Sequence, residues 1–181
     1  MLGMKLSAGH AELRLAGVAL DNGLIVDEVL VETGDVSYEA DRRTFALPGQ
    51  ATVSARISAE SILRFVRDNP PEAVQDLQVA LQDGLVRVSA RMQGLLPLGV
   101  EAIGRLEIGE GTQIAFRPTS VRVAGMGAPD ALVERVLQSV NPLLDASALP
   151  FPVQIQRVDV TPREVRVQAI GGPVRFSGSA T

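Results

Sequence analysis

Apolar and polar residues alternate along most of this chain, and tight-turn signals interrupt the alternation at short intervals. A period of two sends successive side chains to opposite faces of a strand, which commits such a chain to half-buried antiparallel hairpins. Ala11, Leu13 and Leu15 alternate with Glu12 and Arg14. Asp21-Asn22-Gly23 follows as a turn, since Asn and Gly accept positive φ. Residues 24–31 read as a second strand, 36–47 as a less regular third and 51–57 as a fourth. Residues 77–81 and 85–92 form a hairpin about Asp83-Gly84, with Val86, Val88, Ala90 and Met92 on one face. Residues 100–108 and 112–123 form another about Gly109-Glu110-Gly111, and 153–160 and 165–170 a last one about residues 161–164. A short strand at 174–176 precedes a frayed tail.

The period changes to that of a helix twice. Ser58 can cap a helix whose Ile62, Leu63, Phe65 and Val66 share a face, and Pro70-Pro71 stops it. A second helix is expected from Pro129 to Leu144, with Leu132, Val133, Val136, Leu137, Val140, Leu143 and Leu144 on a broad apolar side. Pro142 bends or shortens its end. About 16 residues at about 1.5 Å each span roughly 24 Å, comparable to an extended acyl chain. Residues 58–94 and 128–171 each read helix, strand, turn, strand, a weak internal repeat. The expected fold is α+β: one domain over residues 1–181, a strongly curved, mainly antiparallel sheet wrapped around two principal helices. The residues leave open whether its interior is a filled core or an apolar groove.

Composition removes most chemistry. The chain has no cysteine and no tryptophan, and His10 is its one histidine. That excludes disulfides, thiolate sites and paired-histidine metal sites. The serines sit in no nucleophile elbow, the carboxylates form no metal loop, and Gly109-Glu110-Gly111 lacks the rest of a dinucleotide fingerprint. No enzyme, metal or cofactor is expected. A net charge of −4 and only 3% aromatics disfavour nucleic acid. No stretch approaches the roughly 20 apolar residues of a transmembrane helix, and no signal peptide is visible at Met1–Leu6.

Three segments carry a resemblance. They are Ile57-Ser58-Ala59-Glu60-Ser61-Ile62-Leu63, Leu95-Leu96-Pro97-Leu98-Gly99-Val100-Glu101-Ala102-Ile103-Gly104, and Ser139-Val140-Asn141-Pro142-Leu143-Leu144 followed by Leu149-Pro150-Phe151-Pro152-Val153-Gln154-Ile155. With the terminal hairpin they resemble the LmeA-type phospholipid-binding family of bacterial proteins. The resemblance covers residues 50–171, leaving 1–49 as additional strands and 172–181 as the short strand and tail. It implies a sheet curved around long helices, similar to the tubular lipid-binding folds, and non-catalytic binding or carriage of phospholipid or another acyl lipid. The candidate lining is Ile62, Phe65, Val66, Leu132, Val136, Leu137, Val140, Val153 and Ile155. Leu95, Leu96 and Leu98 are candidates for an entrance loop, costly to expose without a partner. Arg64, Arg67, Arg87 and Arg91 are candidates for the head group. A membrane surface is an expected partner. The visible residues suggest the cytoplasm or the cytoplasmic membrane face, and the family the cell envelope. The competing expectation is a filled-core interaction domain working through a strand edge, including as a homodimer.

Overall fold

The structure, a computed structural model, describes residues 5–39, 44–69, 74–92, 98–147 and 152–177, and 65% of these lie in strands. In chain order the elements are β1 (Lys5–Ala8), β2 (Ala11–Ala19), β3 (Ile25–Thr33), β4 (Val36–Glu39), β5 (Thr44–Leu47), β6 (Ala51–Ser58), α1 (Ala59–Asp68), β7 (Val74–Gln82), β8 (Leu85–Met92), β9 (Leu98–Gly109), β10 (Gln113–Val123), β11 (Met126–Gly127), α2 (Asp130–Val140), β12 (Leu144–Asp145), β13 (Val153–Val160), β14 (Glu164–Gly171) and β15 (Val174–Ser177). They form a four-stranded sheet β1-β4-β5-β15, a five-stranded sheet β13-β14-β6-β3-β2, and a sheet β11-β10-β9-β8-β7 in which β12 also pairs with β10. Every pairing is antiparallel.

This corrects the expected architecture. The sheets are neither closed nor strongly curled, and no sheet wraps two principal helices. The helices have only 10 and 11 residues. The alternation is divided among three sheets with their own edges, so no one of them is long enough to wrap. The second helix was expected to run to Leu144 but ends at Val140, with Asn141 already extended at φ −106° and ψ 142°. Pro142 has no amide to continue the helix, and Leu143 and Leu144 turn to β10 instead: the Leu143 amide donates to the Ile114 carbonyl at 2.9 Å. At about 1.5 Å per residue α2 spans about 16 Å, short of the length expected for an acyl-chain scaffold. The stretch expected as one irregular strand over 36–47 is two strands, β4 and β5, paired with Ser37 opposite Ala46.

The five-stranded and β7–β11 sheets share one core. From the first come Val53, Ile57, Val153, Ile155, Val160, Val165, Val167 and Ala169; from the second Leu77, Leu81, Val86 and Ile114; between them lie Ile62, Phe65 and Val66 of α1. Turns of one sheet seal the edge of the other. The Ile155 amide of β13 donates to the Gly111 carbonyl at 2.6 Å, and the Gly84 amide donates to the Val160 carbonyl at 2.9 Å.

α1 is fixed at its start. Ser58 caps it, its hydroxyl accepting from the Ser61 amide at 3.2 Å. Asp27 of β3 reaches the same turn, accepting from the Ser58 amide at 2.5 Å and the Ser61 hydroxyl at 3.0 Å. Burial pushes the Asp27 carboxyl up, but hydrogen bonds from the Ser58 amide and the Ser61 and Ser58 hydroxyls outweigh it and hold the group below its ordinary value. A carboxylate with a depressed folded value stabilises fully above its unfolded value, about 3.9, and stops doing so as pH falls through the folded one. Asp27→Asn should therefore cost about 1 kcal/mol at pH 7, and urea melts should show this gap narrowing below about pH 4.

Candidate functional site

The β7–β10 face that meets α1 is apolar by alternation. The register sets Val79 opposite Val88 and Val88 opposite Ala102, while Leu106 stands opposite Phe116. These side chains do not close fully against the helix. A slot of about 80 Å³ remains, lined by Ile62 and Val66 of α1, by Leu77, Val79, Val86, Val88, Ala102, Leu106 and Phe116 of the sheet, and by Leu143. All ten are hydrocarbon side chains. Leu77, Val86, Ile62, Val66 and Leu143 are buried, whereas Val79, Val88, Leu106 and Phe116 are only partly so. Ligand sites of drug size run to roughly 300–1,000 Å³, so this slot is narrow and would have to widen to admit an acyl chain.

Beside it lies a larger polar groove of about 560 Å³ at one end of the same sheet. Leu77 lines both. The register sets Ser89 opposite Glu101 and Glu101 opposite Arg122, so these polar side chains stand on the face of the sheet turned away from Val88 and Ala102, and the groove shares only Leu77 of the edge strand β7 with the slot. Arg67, Arg91 and Arg122 line the groove together with Asp76 and Glu101. Both acids are already engaged: Asp76 lies 3.5 Å from Arg91, and Glu101 accepts from Arg87 at 2.9 Å. Arg67 and Arg122 make no ion pair among the described residues, so the groove carries a small cationic excess. Asp76 stands in an irregularity of β7, between Gln75 and Gln78, with φ +52°. A bulge re-aims side chains at a sheet edge, and here it turns Asp76 towards Arg91. Leu98 and Met126 are exposed near the groove, Met126 at 72%.

An apolar slot and a cationic groove thus lie on one sheet, with Leu77 common to both. A family model described as LmeA-like phospholipid-binding matches residues 7–170. The chain belongs to that family. The match takes in β2, β3 and β4 as well as the later elements. The chain is also 25% identical over 160 residues to a Corynebacterium jeikeium (strain K411) protein named large ribosomal subunit protein bL25, covering 85% of this chain and 73% of that one. No solved structure matches it. Among the described residues no helix is long and apolar enough to cross a membrane, and no group of acidic and histidine side chains could hold a metal ion.

The segments that carry the family resemblance have structural work to do. Ile57–Leu63 is the junction capped by Ser58 and Asp27. Gly104 of β9 faces an irregularity in β10: a β-carbon there would lie 2.2 Å from the Arg117 carbonyl oxygen, so only glycine fits. Asn141 clamps the end of α2 to β10, donating from Nδ2 to the Phe116 carbonyl at 3.0 Å and accepting from the Phe116 amide at 2.8 Å. Asn22 adds a bond to the Leu143 carbonyl at 3.1 Å. Together these bonds set Leu143 into the wall of the slot.

The sequence-based candidates are distributed unevenly. Ile62 and Val66 line the slot. Phe65, Val153 and Ile155 are buried in the common core. Leu137 is partly buried on α2, and the side chains of Leu132, Val136 and Val140 lie outside the described set. Leu95 and Leu96 also fall outside the described residues, while Leu98 begins β9. Arg67 and Arg91 line the groove; Arg87 faces Glu101, and Arg64 is paired with Glu60 on the helix surface at 3.2 Å. Sequence reasoning omitted Leu77, Val79, Val86, Val88, Ala102, Leu106, Phe116, Leu143 and Arg122 as site residues. The alternation of the hairpins placed several of these on a common face, but only the pairing of β8 with β9 sets them against α1. Asn141→Ala should strand the Phe116 amide and carbonyl and cost about 1–3 kcal/mol in chemical denaturation. Asn141→Asp, which keeps the acceptor and loses the donor, should fall between that variant and the parent.

Proposed function

We propose that the protein binds a single phospholipid without catalysis, its head-group phosphate in the Arg67–Arg91–Arg122 groove and one acyl chain in the slot between α1 and the β7–β10 face. The observation that carries this reading is the all-hydrocarbon slot between α1 and the sheet, with the arginine groove beside it sharing Leu77 of the edge strand β7. A phosphate is matched by guanidinium donors, and a hydrocarbon tail by a wall without polar side chains. Exposed Leu98 and Met126 beside the groove suit contact with a membrane surface during exchange.

The energetics favour exchange over capture. At about 0.8 kcal/mol per methylene, two chains of about 15 methylenes would give roughly 24 kcal/mol from water. That exceeds the practical ceiling of about 18–21 kcal/mol. A lipid arriving from a bilayer gains only the difference between two hydrocarbon environments, which is small. The slot needs no wide pre-formed cavity for this, because an incoming tail that parts α1 from the sheet replaces the packing of Val79 and Val88 against the core. The small volume also suits a filled-core interaction domain, which is the second reading. A ribosomal role suggested by the name of the 25% identical relative is not adopted, since a net charge of −4 supplies no overall attraction to RNA.

Delipidated protein mixed with phosphatidylglycerol vesicles, then separated and weighed by native mass spectrometry, tests the reading. The parent should carry one phospholipid. Ala102→Phe, with its fold checked by circular dichroism, should lose at least tenfold in uptake by filling the slot. Arg67→Gln with Arg122→Gln should weaken uptake of phospholipid but leave uptake of diacylglycerol, which has no phosphate, unchanged. A lipid-free parent would establish the filled-core reading, and full uptake by Ala102→Phe would place the tail elsewhere.

A further inference from the structure

We propose that two copies of this chain associate edge to edge through β2, antiparallel, with Leu13 of each copy on the two-fold axis. Among the described residues, one edge strand of the five-stranded sheet, β13, takes hydrogen bonds from the other sheet, and the other, β2, takes none from beyond β3. Turns at Gly84 and Gly111 hydrogen-bond to β13. β2, at the other end, pairs only with β3 among the described residues. An open strand edge is a template for another strand.

Both faces of the sheet run off that edge unfinished. On the inner face one row passes from Ala169 through Val53 and Val31 to Leu13, and burial falls along it until Leu13 is 53% exposed. The adjacent row passes from Val167 through Ala55 and Val29 to Leu15, which is 41% exposed. On the outer face a ladder of alternating charge leads from Arg166 to Glu164, Arg56, Glu28 and Arg14, and ends at Glu12. A charged, exposed edge strand would by itself discourage pairing. Here the two signs alternate, so a second copy can satisfy them.

The occupant and its register follow from charge complementarity. The pleat requires residues of the same face to stand opposite one another. Gly17, at φ +64° and without a partner in β3, bulges the strand and confines regular pairing to residues 11–16. An axis at Glu12 would oppose two glutamates, and an axis at Arg14 two arginines. An axis at Leu13 sets Glu12 opposite Arg14 twice, Leu13 opposite Leu13, and Leu15 opposite Ala11 twice. That register alone extends the charge ladder and the apolar rows into the second copy. The contact is isologous, as a two-fold dimer requires, and is independent of the lipid slot on the other sheet.

The chain's lack of cysteine makes the register directly testable. Under mild oxidation Leu13→Cys should cross-link to a dimer, because directly opposed Cα atoms lie about 4.5–5.5 Å apart. Leu15→Cys should not, since the two thiols would be four residues out of register, roughly 14 Å along the strand. In light scattering the parent should show a concentration-dependent dimer. Arg14→Glu should weaken it about tenfold by opposing glutamates twice, and Glu12→Arg with Arg14→Glu should restore it. A parent that stays monomeric up to about 1 mM, the weak end of specific association, would overturn the proposal. So would a dimer indifferent to Arg14→Glu, or equal cross-linking at Leu13 and Leu15.

Discussion

Two backbone hydrogen bonds between turns and a strand set the architecture. The Gly84 amide and the Gly111 carbonyl, each in a hairpin turn of the β7–β11 sheet, are satisfied by Val160 and Ile155 of β13. They remove a free edge, which would otherwise leave polar backbone groups to find water or another chain. One set of aliphatic residues from both sheets forms a common core, with α1 wedged into it through Ile62, Phe65 and Val66.

The slot is what this arrangement leaves over. α1 is anchored at its first turn by Ser58 and Asp27 of the five-stranded sheet, so the helix is placed by one sheet while its outer residues lie over the other. Leu143 is placed by a third device, the Asn141 clamp on Phe116. Walls positioned by separate elements need not meet at full packing density, unlike residues of one well-packed layer. The aliphatic composition keeps the slot free of polar side chains, and the bulge at Asp76 puts charge in the neighbouring groove. A phospholipid needs those two environments in contact with each other.

Much of the chain was legible because strand signals are local. Asp21-Asn22-Gly23, Asp83-Gly84 and Gly109-Glu110-Gly111 marked turns that occur where expected, and the Ser58 cap marked the start of α1. The second helix was over-extended because Leu143 and Leu144 continue its apolar spacing, although they belong to the slot and to β12. The wrapped sheet was wrong for a related reason: hairpins of equal period can join one sheet or three, and periodicity carries no record of which strands become neighbours. The site was partly legible for the same cause. Ile62 and Val66 follow from the apolar face of α1, and Arg67 and Arg91 from the polar positions beside it. Arg122 and Leu143 are distant in sequence and gain their place only through pairing.

By itself, then, the order of residues determined most of the long strands, the main turns between them, which face of those strands is apolar, and that the chain lacks thiols, paired histidines and a net positive charge. These depend on dihedral preference and transfer from water, which act within a few residues. The tertiary structure alone decided that the hairpins divide into three sheets, that turns of one sheet hydrogen-bond to the edge of another, and that the slot and the arginine groove share Leu77. Those features depend on satisfying backbone groups and filling space between segments far apart in the chain, and no local pattern encodes which segments will meet.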